Sequence, residues 1–160
     1  MKKIEIKTQI TIFGSTEELP TLVNDLMNKA IEAKQNAYAP YSKFKVGAAM
    51  LLEDGTIVTG NNQENAAYPS GMCAERVAIW KVSSEFPNKK ILKLAISASS
   101  SSQILMKPVA PCGACRQTLS EYEIKQKDNI EVYFMGEEGE IIKTESVLDL
   151  LPIAFNNTFL

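Results

Sequence analysis

"KVGAAMLLEDGTIVTGNN", residues 45–62, holds two apolar runs separated by Asp54-Gly55, the kind of pair that a tight turn between antiparallel strands requires. It reads as a β-hairpin. On its N-terminal side, Leu22, Val23, Leu26, Met27, Ala30 and Ile31 recur at intervals of three and four, which predicts an amphipathic helix over 20–37. Ser15 with Glu18 offers that helix a capping box. The proline of "YAPYS" (38–42) ends it, because proline disfavours helix in the residue before it. Residues 4–12 alternate, with Ile4, Ile6, Ile10 and Ile12 on one parity, as in a half-buried strand. C-terminal to the hairpin, a helix over about 73–86 is ended by Pro87, and "ILKLAISAS" (91–99) has the composition of a buried strand. "SSSSQILMKPVAP" (99–111) is the loop that follows, with the serine run exposed. A short helix over 112–123, a strand "IEVYFM" (130–135), a turn at "GEEGE" (136–140) and a short amphipathic helix near 145–151 complete the chain. The order βαββαβαβ(β)α predicts an α/β domain, a mixed sheet covered by helices.

Composition agrees with one globular domain. A chain of 160 residues buries roughly two-thirds of the surface its unfolded form exposes and needs no covalent staples. Apolar residues make up 45% and charged residues 22%, ordinary globular values that argue against a disordered or fibrous chain. The 17 basic and 19 acidic residues are well mixed, leaving a net charge of −2 and no basic face for a nucleic-acid backbone. Charged residues interrupt the apolar ones in "MKKIEIKTQITIF" (1–13), unlike a signal peptide, and no stretch approaches the ~20 apolar residues of a membrane span. A cytoplasmic protein is expected. Three cysteines, an odd number, also disfavour a secreted disulfide framework.

Those cysteines carry the chemistry. "PCGAC" (111–115) sets Cys112 and Cys115 at the C-x-x-C spacing, which lets one turn present two thiolates to a metal. The same spacing serves a thioredoxin-like redox pair, and two packed core cysteines are the plain alternative. Both thiols, and Cys73 in "SGMCAERVAIW" (70–80), fall at predicted helix N-termini, where the helix dipole favours thiolate. If all three meet on zinc, the ligand count decides the type of site. A closed structural site takes four ligands, nearly always thiolate or imidazole, and this chain has three cysteines and no histidine. Three ligands and an open position describe a catalytic zinc, which lowers the pKa of a water bound there. Only a carboxylate or a ligand from another chain would rescue the structural reading.

Glu75 lies two residues after Cys73, so the two share a pocket only if Cys73 is at or just before the first helical position. A lone glutamate in a first turn is ordinarily a solvated partner of the dipole. Beside an open zinc it is a candidate general base and acid, able to take a proton from water and return it. Three thiolates around a divalent cation leave one excess negative charge, and Arg76 is placed to offset it by donating to sulfur.

"CAER" (73–76) followed by "PCGACRQ" (111–117) resembles the zinc-dependent cytidine deaminases, whose signature is C/H-A-E and then P-C-x-x-C. "AYAPYSKFKVGAA" (37–49), "NNQENAAY" (61–68) and "LPIAF" (151–155) resemble further segments of that family, in its order. The resemblance spans roughly 20–155, with 1–19 as an N-terminal extension of a single domain covering 1–160. It implies a three-layer α-β-α sandwich with a mixed five-stranded sheet. It also implies one zinc per chain, held by Cys73, Cys112 and Cys115, with Glu75 moving protons and Arg76 contacting the thiolates. Phe44 would pack on a nucleoside, Asn62 and Glu64 would bond the ribose 3′-hydroxyl, and the Ala74 backbone would meet the amide edge of the base. Tyr68 and Phe155 would reach into a neighbouring subunit's pocket of a homotetramer. The implied reaction is hydrolytic deamination of cytidine and 2′-deoxycytidine to uridine and 2′-deoxyuridine, with release of ammonia. Blasticidin-type deaminases, which share the zinc signature, and a non-catalytic zinc or redox module are the alternatives. Asn61, Gln63, Lys45 and Trp80 depart from the usual pattern of the family without removing a catalytic group.

Overall fold

The computed structural model describes residues 1–160. The hairpin lies at one edge of a six-stranded mixed sheet. Strands β2 (Phe44–Leu52) and β3 (Ile57–Asn61) pair antiparallel from Gly47↔Asn61 to Leu51↔Ile57. Gly55 turns the chain with φ 85°, and the Asp54 carboxylate accepts the Thr56 N–H at 3.1 Å. On its other edge β2 pairs antiparallel with β4 (Ile91–Ser100), and β4 runs parallel to β5 (Glu131–Met135). That parallel step is bridged by helix α3 (Gly113–Gln126), as a crossover requires. β6 (Ile141–Thr144) and β1 (Ile10–Phe13) add antiparallel strands beyond β5.

Strand parity sorts the core into two layers. Ala48, Met50, Leu52, Leu94, Ile96, Val132 and Phe134 face α2 (Ala74–Glu85) and α3, meeting Ala78, Ile79, Val82 and Leu119. Ala49, Leu51, Ala95, Tyr133 and Met135 face α1 (Thr21–Gln35), whose Val23, Leu26, Met27 and Ala30 complete the second layer. Burial of each large side chain contributes roughly 1.5–3 kcal/mol. Gly60 on β3 decides how closely α2 approaches. A Cβ there would lie 2.6 Å from the Ala74 carbonyl oxygen and from the Ala78 nitrogen, so only glycine lets the start of α2 settle on the sheet.

Four expectations need correction. The sheet has six strands, not five, because both β6 and β1 join it. The strand expected over 4–12 is only Ile10–Phe13, and its isoleucine parity is not half-buried: Ile4, Ile6, Ile10 and Ile12 are all exposed. Alternation supplies an apolar stripe, but nothing packs on it. Ser15 and Glu18 form no capping box on α1, which starts after Pro20; Glu18 accepts the Gly14 N–H at 2.7 Å in a separate 3₁₀ turn, Thr16–Glu18. The helix expected near 145–151 is a single 3₁₀ turn, Leu148–Leu150.

Candidate active site

Cys73 and Cys112 occupy equivalent places, each the N-cap of a helix, α2 and α3, with extended backbone (ψ 152° and 164°). The extended cap turns each side chain back across the helix start, and Cys115 joins them from the first turn of α3, fully buried. The three sulfurs lie within 4.8 Å of one another, with Cys73 to Cys112 at 4.0 Å and Cys112 to Cys115 at 3.5 Å. Thiolates at zinc–sulfur bonds of 2.3 Å in a tetrahedron stand about 3.8 Å apart, so the cluster fits one such ion.

Its electrostatics point the same way. The Cys73 thiol is drawn down to about 5 by a hydrogen bond from Cys115 and by Arg76, against the effect of burial. Cys115 is pushed up far above the ordinary thiol value by the same neighbour and by burial. Without a cation the cluster carries charge on one sulfur at the expense of another, and a divalent ion removes that conflict by deprotonating its thiol ligands. Arg76 donates from Nη2 to the Cys73 sulfur at 3.4 Å, and its guanidinium lies 5.9 Å from the Trp80 ring centroid. Its Nε is buried without a partner. Zinc thiolates, richer in charge than thiols, are the acceptors such a group suits.

Glu75 is only 5% exposed, in the first turn of α2. Burial raises its carboxyl above the usual range, opposed by its own backbone N–H and by the Cys115 thiol. With Cys73, Cys112 and Arg76 it borders a cavity of about 530 Å³, of the size that takes a small organic ligand. Phe44, Asn62, Glu64 and Tyr68 border the same cavity. Two isolated bridges, Tyr38↔Gln63 and Gln63↔Met72, hold that wall against the metal side.

The polar pair of the wall is already partly engaged. Asn62 Oδ1 accepts the Val46 N–H at 2.8 Å and its Nδ2 donates to the Phe44 carbonyl at 2.9 Å, which leaves one donor and one lone pair for a ligand. Glu64 accepts the Tyr41 and Ser42 N–H groups at 2.9 and 3.2 Å. Ala74 is fully buried against β3 and does not border the cavity. Phe155 also lies outside it, 59% exposed and stacked on Phe159 at 5.7 Å between ring centroids.

Several residues of the site carried no signal in the sequence. Val109 and Ala110, part of the serine-led loop, line the cavity beside Cys112, and Ile96 reaches it from β4. Arg116 fixes the metal loop, donating from Nε to the Pro111 carbonyl at 2.8 Å and from Nη1 to that of Leu150 at 2.9 Å. Its place in "ACRQ" was a possible cue, but only the fold supplies its acceptors.

Residues 20–128 match the family described as the cytidine and deoxycytidylate deaminase zinc-binding region. The chain is 41% identical over 130 residues to a cytidine deaminase of Halalkalibacterium halodurans, covering 81% of this chain and 91% of that protein. It is 42% identical over 134 residues to a cytidine deaminase of Sporosarcina psychrophila, covering 84% and 91%. Among solved structures, the cytidine deaminase of Burkholderia pseudomallei superposes with a TM-score of 0.71 at 39% identity, covering 82% of this chain and 97% of that one. The cytidine deaminase of Mycobacterium tuberculosis superposes at 0.64 and 34% identity, covering 83% and 96%. With its zinc-ligand spacing, its three converging thiols and a model match over most of its length, this chain belongs to the cytidine and deoxycytidylate deaminase zinc-binding family.

Proposed function

We propose that this protein is a zinc-dependent hydrolase that deaminates cytidine and 2′-deoxycytidine to uridine and 2′-deoxyuridine. The observation that carries the reading is the meeting of three sulfurs within 4.8 Å with a buried glutamate at the border of one cavity. Relatives named cytidine deaminases over most of their length favour this over an antibiotic deaminase or a redox module.

Cys73, Cys112 and Cys115 would hold the zinc, which when bound would acidify a water. Glu75 takes a proton from that water and delivers it to N3 of the cytosine ring as the water oxygen adds to C4; it then moves the proton of the C4 hydroxyl to the amine as the C4–N4 bond breaks and ammonia leaves. Burial holds its carboxyl above the usual range, so it takes up a proton more readily than an exposed glutamate would. Arg76 holds the Cys73 sulfur and draws off part of the thiolate charge. Phe44 packs on the nucleoside, and Asn62 and Glu64 take the ribose hydroxyls.

Domain limits and assembly follow as part of the same reading: one domain with a catalytic core at 20–155 and an extension at 1–19, assembled as a homotetramer. Tyr68, at the border of the cavity, is 79% exposed and Phe155, outside it, 59%, so both leave apolar surface for a neighbouring chain to cover. Three free thiols are consistent with the reducing cytoplasm. Purified protein is expected to hold about one zinc per chain and to convert cytidine to uridine, followed as loss of cytidine absorbance. Zinc-loaded protein that leaves cytidine untouched would overturn the assignment. Phe155→Ala is expected to raise KM and to weaken assembly together, read by kinetics and by sedimentation; a tetramer with unchanged KM would remove Phe155 from the pocket.

A further inference from the structure

The turn that joins α1 to β2 is built with backbone strain. Lys43 has φ 56°, in the left-handed region that a lysine seldom occupies. The chain holds it there from both sides: the Lys43 N–H donates to the Ala39 carbonyl at 3.2 Å, and its own carbonyl accepts the Ser101 N–H at 3.2 Å. The reversal brings Ser42, Phe44 and Glu64 together at the cavity border. Ser42 Oγ accepts the Phe44 N–H at 3.0 Å and donates to Glu64 Oε1, while both backbone donors, Tyr41 and Ser42, bond Glu64 Oε2.

We propose that Ser42 is a positioning residue for the sugar end of the substrate: its hydroxyl locks the Glu64 carboxylate in the orientation that receives a ribose hydroxyl. This rests on the reading that Glu64 binds the ribose. A carboxylate offers about four acceptor sites, and the chain's own donors use three, which leaves one for a ligand that must itself donate. An alcohol satisfies that requirement. The hydroxyl matters beyond the two backbone bonds because they share one oxygen, and the terminal torsion of a glutamate is soft, so Oε1 turns freely unless it has its own partner. Ser42 also gives the largest of the effects that hold the Glu64 carboxyl below its ordinary value and so ionised. Since the same oxygen of Ser42 accepts from Phe44, one side chain sets the place of two substrate contacts.

The test compares cytidine with 3′-deoxycytidine, which lacks the hydroxyl in question, on zinc-loaded wild-type, Ser42→Ala and Ser42→Thr proteins. Ser42→Ala is expected to raise KM for cytidine about tenfold with kcat within about twofold, the scale of one hydrogen bond to a charged group. Its preference for cytidine over 3′-deoxycytidine is expected to fall by the same factor, and Ser42→Thr, which keeps the hydroxyl on an exposed side chain, to restore it. An alanine variant that keeps the wild-type preference, or that loses kcat on both substrates alike, overturns the role of Ser42. So does a threonine variant as impaired as the alanine one. A wild-type enzyme that does not distinguish the two substrates overturns the Glu64 assignment itself, an outcome read before any variant is made.

Discussion

Two glutamates, Glu75 on α2 and Glu123 on α3, are buried to the same degree, 5% and 4% exposed, yet their surroundings have opposite designs. Glu123 accepts hydrogen bonds from the Ile130, Val147 and Leu148 N–H groups at 2.8, 2.8 and 3.1 Å and from the Ser146 hydroxyl at 2.5 Å. It ties α3 to the residue before β5 and to the segment after β6, and every acceptor site has a donor from the chain. Glu75 has no such set. Burial raises its pKa, a charged sulfur stands nearby, and the side chain borders a cavity. Burial of an acid therefore does not mark function; burial with incomplete satisfaction beside a cavity does.

The widest break in this comparison comes from removing the charge of Glu75. Glu75→Gln is expected to cost at least ~10²- to 10⁴-fold in kcat, the range of a lost acid–base group. Zinc content should persist, and the melting temperature should hold or rise, because a neutral amide escapes the cost of burying a charge. An active Glu75→Gln protein with its zinc would make Glu75 a second structural acid. Glu123→Ala should do the reverse. It strands two buried N–H groups, those of Ile130 and Val147, and is expected to cost about 3–5 kcal/mol in urea unfolding, with turnover per zinc-loaded folded chain unchanged. Loss of turnover without loss of stability would erase the distinction.

Arg76→Met tests whether the electrostatics around Glu75 belong to the metal. Zinc affinity, measured by chelator competition, is expected to fall about 10- to 100-fold, the usual effect of removing a partner of a metal ligand. Unchanged affinity would leave the guanidinium as packing under Trp80.

The smallest effect comes from a third buried charge. Lys34 is 4% exposed and donates to Ser97 Oγ at 3.0 Å, and Ser97 in turn donates to the Gly136 carbonyl at 3.2 Å. Burial lowers its pKa, opposed in part by Glu137. The unfolded chain therefore holds this proton more tightly than the folded one, so the lysine weakens the fold below its depressed pKa and the loss fades as pH rises into the ordinary lysine range. Lys34→Met is expected to add about 1 kcal/mol at pH 7, less as the pH approaches 10. Ser97 keeps its acceptor, the Gly136 carbonyl, and its hydroxyl oxygen loses one donor. Destabilisation at neutral pH would mean that Lys34, like Glu123, is fully satisfied.

Legibility in the sequence followed the range of the interactions involved. The hairpin, α1, α2, β4, α3 and β5 were readable because turn chemistry and periodicity act over a few residues. The N-terminal strand failed because an alternating pattern implies a covering layer, and Ile4, Ile6, Ile10 and Ile12 have none. The capping box failed because Pro20 starts α1 five residues later than Ser15. Within the site, Cys73 and Glu75 could share a pocket only with Cys73 at or just before the first helical position, and Cys73 is the N-cap of α2. The roles of Ser42 and Arg116 were not readable, since Glu64 and the Leu150 carbonyl lie 22 and 34 residues away, nor was the place of Val109 and Ala110 beside the cavity.

By itself, the sequence determined the chemistry a metal could support here: with three cysteines and no histidine, no folding of this one chain can supply a fourth thiolate or imidazole. Local spacing also determined that thiol and carboxylate share a helix start. Only the tertiary structure decided which buried acid is free to work. Glu123 meets Ser146, Val147 and Leu148 across 23–25 residues, and Cys73 meets Cys112 across 39. Such encounters depend on how sheet and helices pack. Gly60, by letting α2 settle on β3, is the residue through which that packing sets the place of Cys73 and Glu75.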